Sequence, residues 1–124
     1  MGDSHRYLRE THIVGERTRE RLVGMAHCSG LADAGIRLCG LSAAQPGFRF
    51  VRRQPDQAQL LACIAGEGRV LVDGAWQACR AGTAYRTPPQ ILHAYHATAA
   101  WQLVWIAGPA VLVSGSTPSL VPCD

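Results

Sequence analysis

The chain has 124 residues, 48% of them hydrophobic and 17% charged, with a net charge of +3. That is one domain's length with apolar content for a single core, and no apolar run is long enough to span a membrane. All twelve basic residues are arginines, scattered rather than clustered, which argues against a nucleic-acid surface within these residues.

Residues 1–21 are polar, with Glu10, Glu16 and Glu20 interleaved among Arg9, Arg17, Arg19 and Arg21. They read as a solvated N-terminal arm. They lack the basic segment, apolar core and cleavage site of a secretory signal, so a cytoplasmic location is expected.

From Leu22 the texture changes to short apolar strands between turn residues. Residues 22–28 and 36–42 read as strands around a loop at 29–35, and Pro46-Gly47 turns the chain into a strand at 48–53. In that strand Phe48, Phe50 and Arg52 alternate with Arg49, Val51 and Arg53, and both Arg49 and Arg52 are expected in solvent. Residues 57–65 form the most apolar strand, followed by a tight connection at Gly66-Glu67-Gly68 and a strand at 69–72. Asp73-Gly74 suits a type I′ hairpin turn. Strands at 75–79, 83–87, 93–97 and 101–107 follow, with Pro88-Pro89 making a corner before His93. The end of the chain reads as a final strand at 110–113 and a loose Pro-, Ser- and Gly-rich tail at 114–124. Nine or ten short strands with no long helix predict an all-β barrel or sandwich.

The five cysteines (28, 39, 63, 79 and 123) contain no C-x-x-C pair and no zinc-ligand spacing. Cys39, Cys63 and Cys79 fall within apolar strands and are expected to pack as small hydrophobes.

This order of features resembles the cupin superfamily, whose double-stranded β-helix carries the motifs G-x5-H-x-H-x3/4-E-x6-G and G-x5-P-x-G-x2-H-x3-N. The first lies without gaps on Gly47, Arg53, Pro55, Gln59 and Gly66. The second lies on Gly82, Pro88, Gln90, His93 and Ala97. The proline and the glycines at 47, 66 and 82 are kept, with Gln90 in place of the remaining motif glycine, but of the four metal ligands only the histidine at 93 survives. A guanidinium repels a divalent ion and one imidazole does not hold one, so neither a metal nor another cofactor is expected.

The stretch 46–108, with its G-E-G hairpin, D-G turn, R-A-G, P-P-x-x-x-H-x-Y and W-x-x-x-W, is also similar to the N-terminal sensor domain of AraC-type transcription regulators. That resemblance implies a non-catalytic domain at 22–113 that binds a small effector and dimerises. The DNA-binding helix-turn-helix part would lie outside this chain, and the N-terminal arm would fold over the pocket. The carried-over motif places Arg53, Pro55 and Gln59 facing the cavity. Strand alternation puts His93 with Tyr95 on one face, and Trp101, Leu103 and Trp105 on one face. Arg53, Gln59, His93, Tyr95, Trp101 and Trp105 are therefore the candidate ligand contacts, with Cys63 sharing Gln59's parity. Such a set suits a sugar, a sugar acid or another carboxylate. Two other readings stand beside it. One is a stand-alone cupin enzyme, an isomerase, epimerase or dioxygenase, using His93 and Tyr95 as an acid–base pair. The other is a structural protein whose cavity is filled by side chains.

Overall fold

The structure is a computed structural model that describes residues 8–123. Its nine strands form an antiparallel sheet folded into two layers, the cupin double-stranded β-helix. Two long strands, β5 (Ala58–Val72) and β8 (His93–Gly108), run side by side and bend from one layer into the other. The first halves of β5 and the second halves of β8 pair with each other. They are flanked on one side by β3 (Leu38–Ala44) and β2 (Arg19–Gly24), and on the other by β7 (Thr83–Thr87) and β9 (Ser119–Pro122). The remaining halves build the second layer with β4 (Arg49–Arg52), β1 (Thr11–Ile13) and β6 (Ala75–Arg80).

The sequence suggests breaks where the structure has bends. Register shifts between Cys63 and Ala65 and between Gly66 and Gly68 turn β5 through the corner without ending it. Gly66 has φ +79°, and a Cβ there would run into the Ala100 carbonyl of β8, so only glycine passes. At the hairpin after β5, Asp73 and Gly74 both have positive φ, 51° and 78°, the type I′ geometry that the D-G pair predicts.

Four segments differ from expectation. The strand expected at 22–28 is β2, shifted toward the N-terminus; after Gly24 the chain leaves the sheet through a 3-10 turn, Met25–His27, and a short helix α1, Ser29–Asp33. Residues 8–21 are not merely an arm, because they supply β1 and the start of β2; Met1–Tyr7 lie outside the described residues. The strand expected at 110–113 is a 3-10 turn, Ala110–Leu112, since Pro109 has no N–H to give a ladder and its carbonyl accepts from the Leu112 N–H at 3.0 Å. The tail is ordered as β9, which covers the edge of β7 and packs Leu120 against the core.

The core lies between the layers and is centred on Trp101, Tyr85, Leu61, Leu103 and Val70, all 0–1% exposed. Burial pushes the Cys79 thiol up to about 11 and raises Cys63 as well, so both are inert packing groups, whereas Cys39 is half-buried.

Candidate ligand-binding site

At one end of the sandwich the layers part around a cavity of about 630 Å³. Its floor is made by β4, β5 and β8, and β1, β2 and β3 supply walls. Four polar side chains meet on that floor: Arg52, Gln59, His93 and Tyr95. In the β4–β8 pairing Phe50 stands opposite Tyr95 and Arg52 opposite His93, so register alone brings the guanidinium to the imidazole. The Phe50 and Tyr95 rings stack at 5.5 Å, and the Arg52 guanidinium lies 4.7 Å over Phe50 and 5.9 Å from Tyr95.

Donors and acceptors on the floor can be accounted for atom by atom. Arg52 Nη1 donates to the Tyr95 hydroxyl at 2.9 Å and lies 3.3 Å from both Gln59 Oε1 and His93 Nε2. Gln59 Nε2 donates to the Tyr95 hydroxyl at 3.2 Å. The phenol oxygen therefore accepts twice, and its own O–H has no acceptor among the described residues. The same holds for Arg52 Nε and Nη2. His93 is 1% exposed; its burial first, then the nearby Arg52 and His12, push its pKa down to about 3, so the imidazole is neutral. With Nε2 facing a guanidinium N–H, the network assigns its proton to Nδ1, which is buried without a partner.

The opposite wall is made by Trp105, Leu38, Leu22 and Glu20. Trp105 Nε1 donates to Ser42 Oγ at 2.9 Å, and that hydroxyl donates to Glu20 Oε2 at 2.6 Å. Gly40 lies beneath the indole; a Cβ there would sit 2.7 Å from the Trp105 ring, so its absence sets where that ring rests. Glu10 and His12 stand at the rim. Glu10 accepts from the Arg53 backbone N–H at 2.8 Å and contacts His12 at 2.7 Å; the backbone bond is the main reason its pKa falls below the usual carboxylate range.

Of the six candidate ligand contacts, Gln59, His93, Tyr95 and Trp105 line the cavity, as does Pro55, which was also expected to face it. Trp101 does not. It is 0% exposed, packed edge-on to Phe48 and Tyr95, with its ring over Gly68. Arg53 does not either: it is exposed and its guanidinium donates to the Leu8 carbonyl at 2.7 Å, outside the cavity. Arg52, expected in solvent, holds the inward position. β4 ends at Arg52 and the chain bends over 53–54 ahead of Pro55, so the motif spacing carried over from the family runs one residue long here. The signal was present in the alternation of Phe48, Phe50 and Arg52. Glu10, His12 and Glu20 escape a sequence reading because β1, β2 and the segment just before β1 lie in the polar arm.

This floor fits a metal ion poorly. It offers one imidazole, whose Nε2 already faces a guanidinium, and among the described residues no three His, Cys, Asp or Glu side chains converge. Residues 35–117 match the family described as AraC-like ligand binding domain. The chain belongs to that family.

As an AraC-like ligand-binding domain it shares its fold with cupins of known structure. It is similar to the EutQ protein of Clostridium difficile (13% identity, TM-score 0.56), covering 75% of this chain and 63% of that one. A RmlC-like cupin from Shewanella frigidimarina NCIMB 400 is also similar (21% identity, TM-score 0.60, 81% and 85% covered). So is a predicted oxalate decarboxylase from Thermotoga maritima (12% identity, TM-score 0.60, 82% and 90% covered). This chain thus spans under two thirds of the length of that EutQ protein. No curated protein matches it significantly. Among the described residues no helix is long and apolar enough to cross a membrane.

Proposed function

We propose that this domain is the effector-sensing and dimerising part of a cytoplasmic AraC-type transcription regulator, without catalysis of its own. It takes a small polar organic molecule (a sugar, a sugar acid or another carboxylate) and acts on DNA only through a part outside this chain. The observation that carries the reading is the floor of the cavity. Arg52 lies against Tyr95, Gln59 and His93 with no carboxylate in ion-pair range among the described residues, and family membership supports an effector there. A ligand that seats on this floor and is preferred by one conformation or one dimer geometry shifts the balance between them.

The enzyme reading has less support. An acid–base role for His93 and Tyr95 needs a proton acceptor that titrates near neutral pH. His93 is held far below that, and its Nε2 already faces the guanidinium.

A thermal-shift screen of sugars, sugar acids and aromatic and aliphatic acids tests the proposal, because a ligand of the native state raises the melting temperature. At least one class is expected to raise it, and sedimentation is expected to find a dimer. A melting temperature unmoved by every class would overturn the effector reading.

A further inference from the structure

We infer that the cavity selects a monocarboxylate with an apolar body, its carboxylate seated on Arg52 and the Tyr95 hydroxyl; this rests on the effector-binding reading and narrows its ligand class. Besides the buried Nδ1–H of His93, the polar hydrogens left without an acceptor among the described residues on the floor are the Tyr95 O–H and those of Arg52 Nε and Nη2. A group that satisfies them must accept several hydrogen bonds at once. A carboxylate does so, and a guanidinium binds it with two parallel bonds. A sugar hydroxyl must also donate, and on the floor itself acceptors are scarce, the open carboxylates of Glu20 and Asp56 standing on the walls. The Tyr95 oxygen already accepts twice, His93 Nε2 faces Arg52, and both Glu10 oxygens are engaged.

The walls limit charge and shape the rest of the molecule. Glu10, Glu20 and Asp56 also line the cavity, so a second negative charge on the ligand would face carboxylates away from Arg52. Phe50, Leu22, Leu38 and Trp105 present apolar surface to the body of the ligand. One anionic end and one apolar end match one guanidinium and an aromatic–aliphatic wall.

Calorimetric titration and thermal shift on the whole chain with benzoate and octanoate, their amides benzamide and octanamide, the dianion phthalate, and D-glucose test this. A carboxylate is expected to bind about tenfold or more tightly than its own amide, the margin of a charge-assisted pair over a neutral one. Phthalate and glucose are expected to bind more weakly than benzoate, and Arg52→Gln to bring each acid down to the level of its amide. An amide equal to its acid, or glucose or phthalate outbinding both acids, overturns the monocarboxylate assignment while leaving an effector site in place. Silence from every probe overturns the monocarboxylate assignment, and the effector reading falls with it only if the wider thermal-shift screen is silent as well. Should Arg52→Gln fail to fold, the acid–amide comparison on the unaltered chain still decides.

Discussion

At the scale of single residues, His93 links the floor of the cavity to stability. Its folded pKa of about 3 lies below the ordinary 6.5, so below pH 6.5 the unfolded chain binds a proton that the folded one refuses. The stability this supplies is complete above pH 6.5 and is lost as pH falls toward 3, with a slope of at most about 1.4 kcal/mol per pH unit. Half-buried His96 shifts in the same direction, chiefly by burial. Chemical denaturation of the parent and of His93→Gln between pH 7 and 4.5 isolates the His93 share. The difference in stability between them is expected to shrink as pH drops, and a constant difference would count against a buried neutral imidazole. Residue identity on the floor was legible from alternation and hidden by motif matching. His93 and Tyr95 follow from parity, as does Arg52, whereas a gap-free motif picks Arg53 because spacing is blind to where β4 stops.

Among the elements, β9 carries more weight than its Pro- and Ser-rich composition suggests. It pairs Ser119–Pro122 with β7 and brings Leu120 onto the core, protecting an edge next to the first half of β5. Removing residues 117–124 forfeits a partly buried leucine, worth about 1 kcal/mol, together with the ladder to β7, and is expected to lower the melting temperature by roughly 3–6 °C. An unchanged transition would mean the edge needs no cover. Composition hid β9 because a covering strand held mostly by its backbone needs little apolar patterning. The D-G hairpin, the central apolar strand and the corner at Pro88-Pro89 were legible, since each depends on local backbone chemistry. The continuity of β5 and β8 was not, because a glycine that bends a strand and one that ends it look alike until the neighbouring carbonyl at Ala100 is in place.

For the molecule as a whole, all-β architecture with a pocket between its layers follows from patterning, but the location of that pocket depends on pairings distant in the chain. Both layers are threaded by the same two strands, β5 and β8, which pass through the corner intact. Neither half can come apart while its continuation stays paired. Tryptophan fluorescence and far-ultraviolet circular dichroism are therefore expected to report one coincident urea transition; two separated transitions would show the layers to be independent. Backbone amides at opposite ends of β5 should likewise surrender to deuterium together, at the rate of global opening. A molecule docked at the mouth would then slow exchange even at Leu71 and Val72, at the far end of β5, so occupancy could be read far from where it occurs.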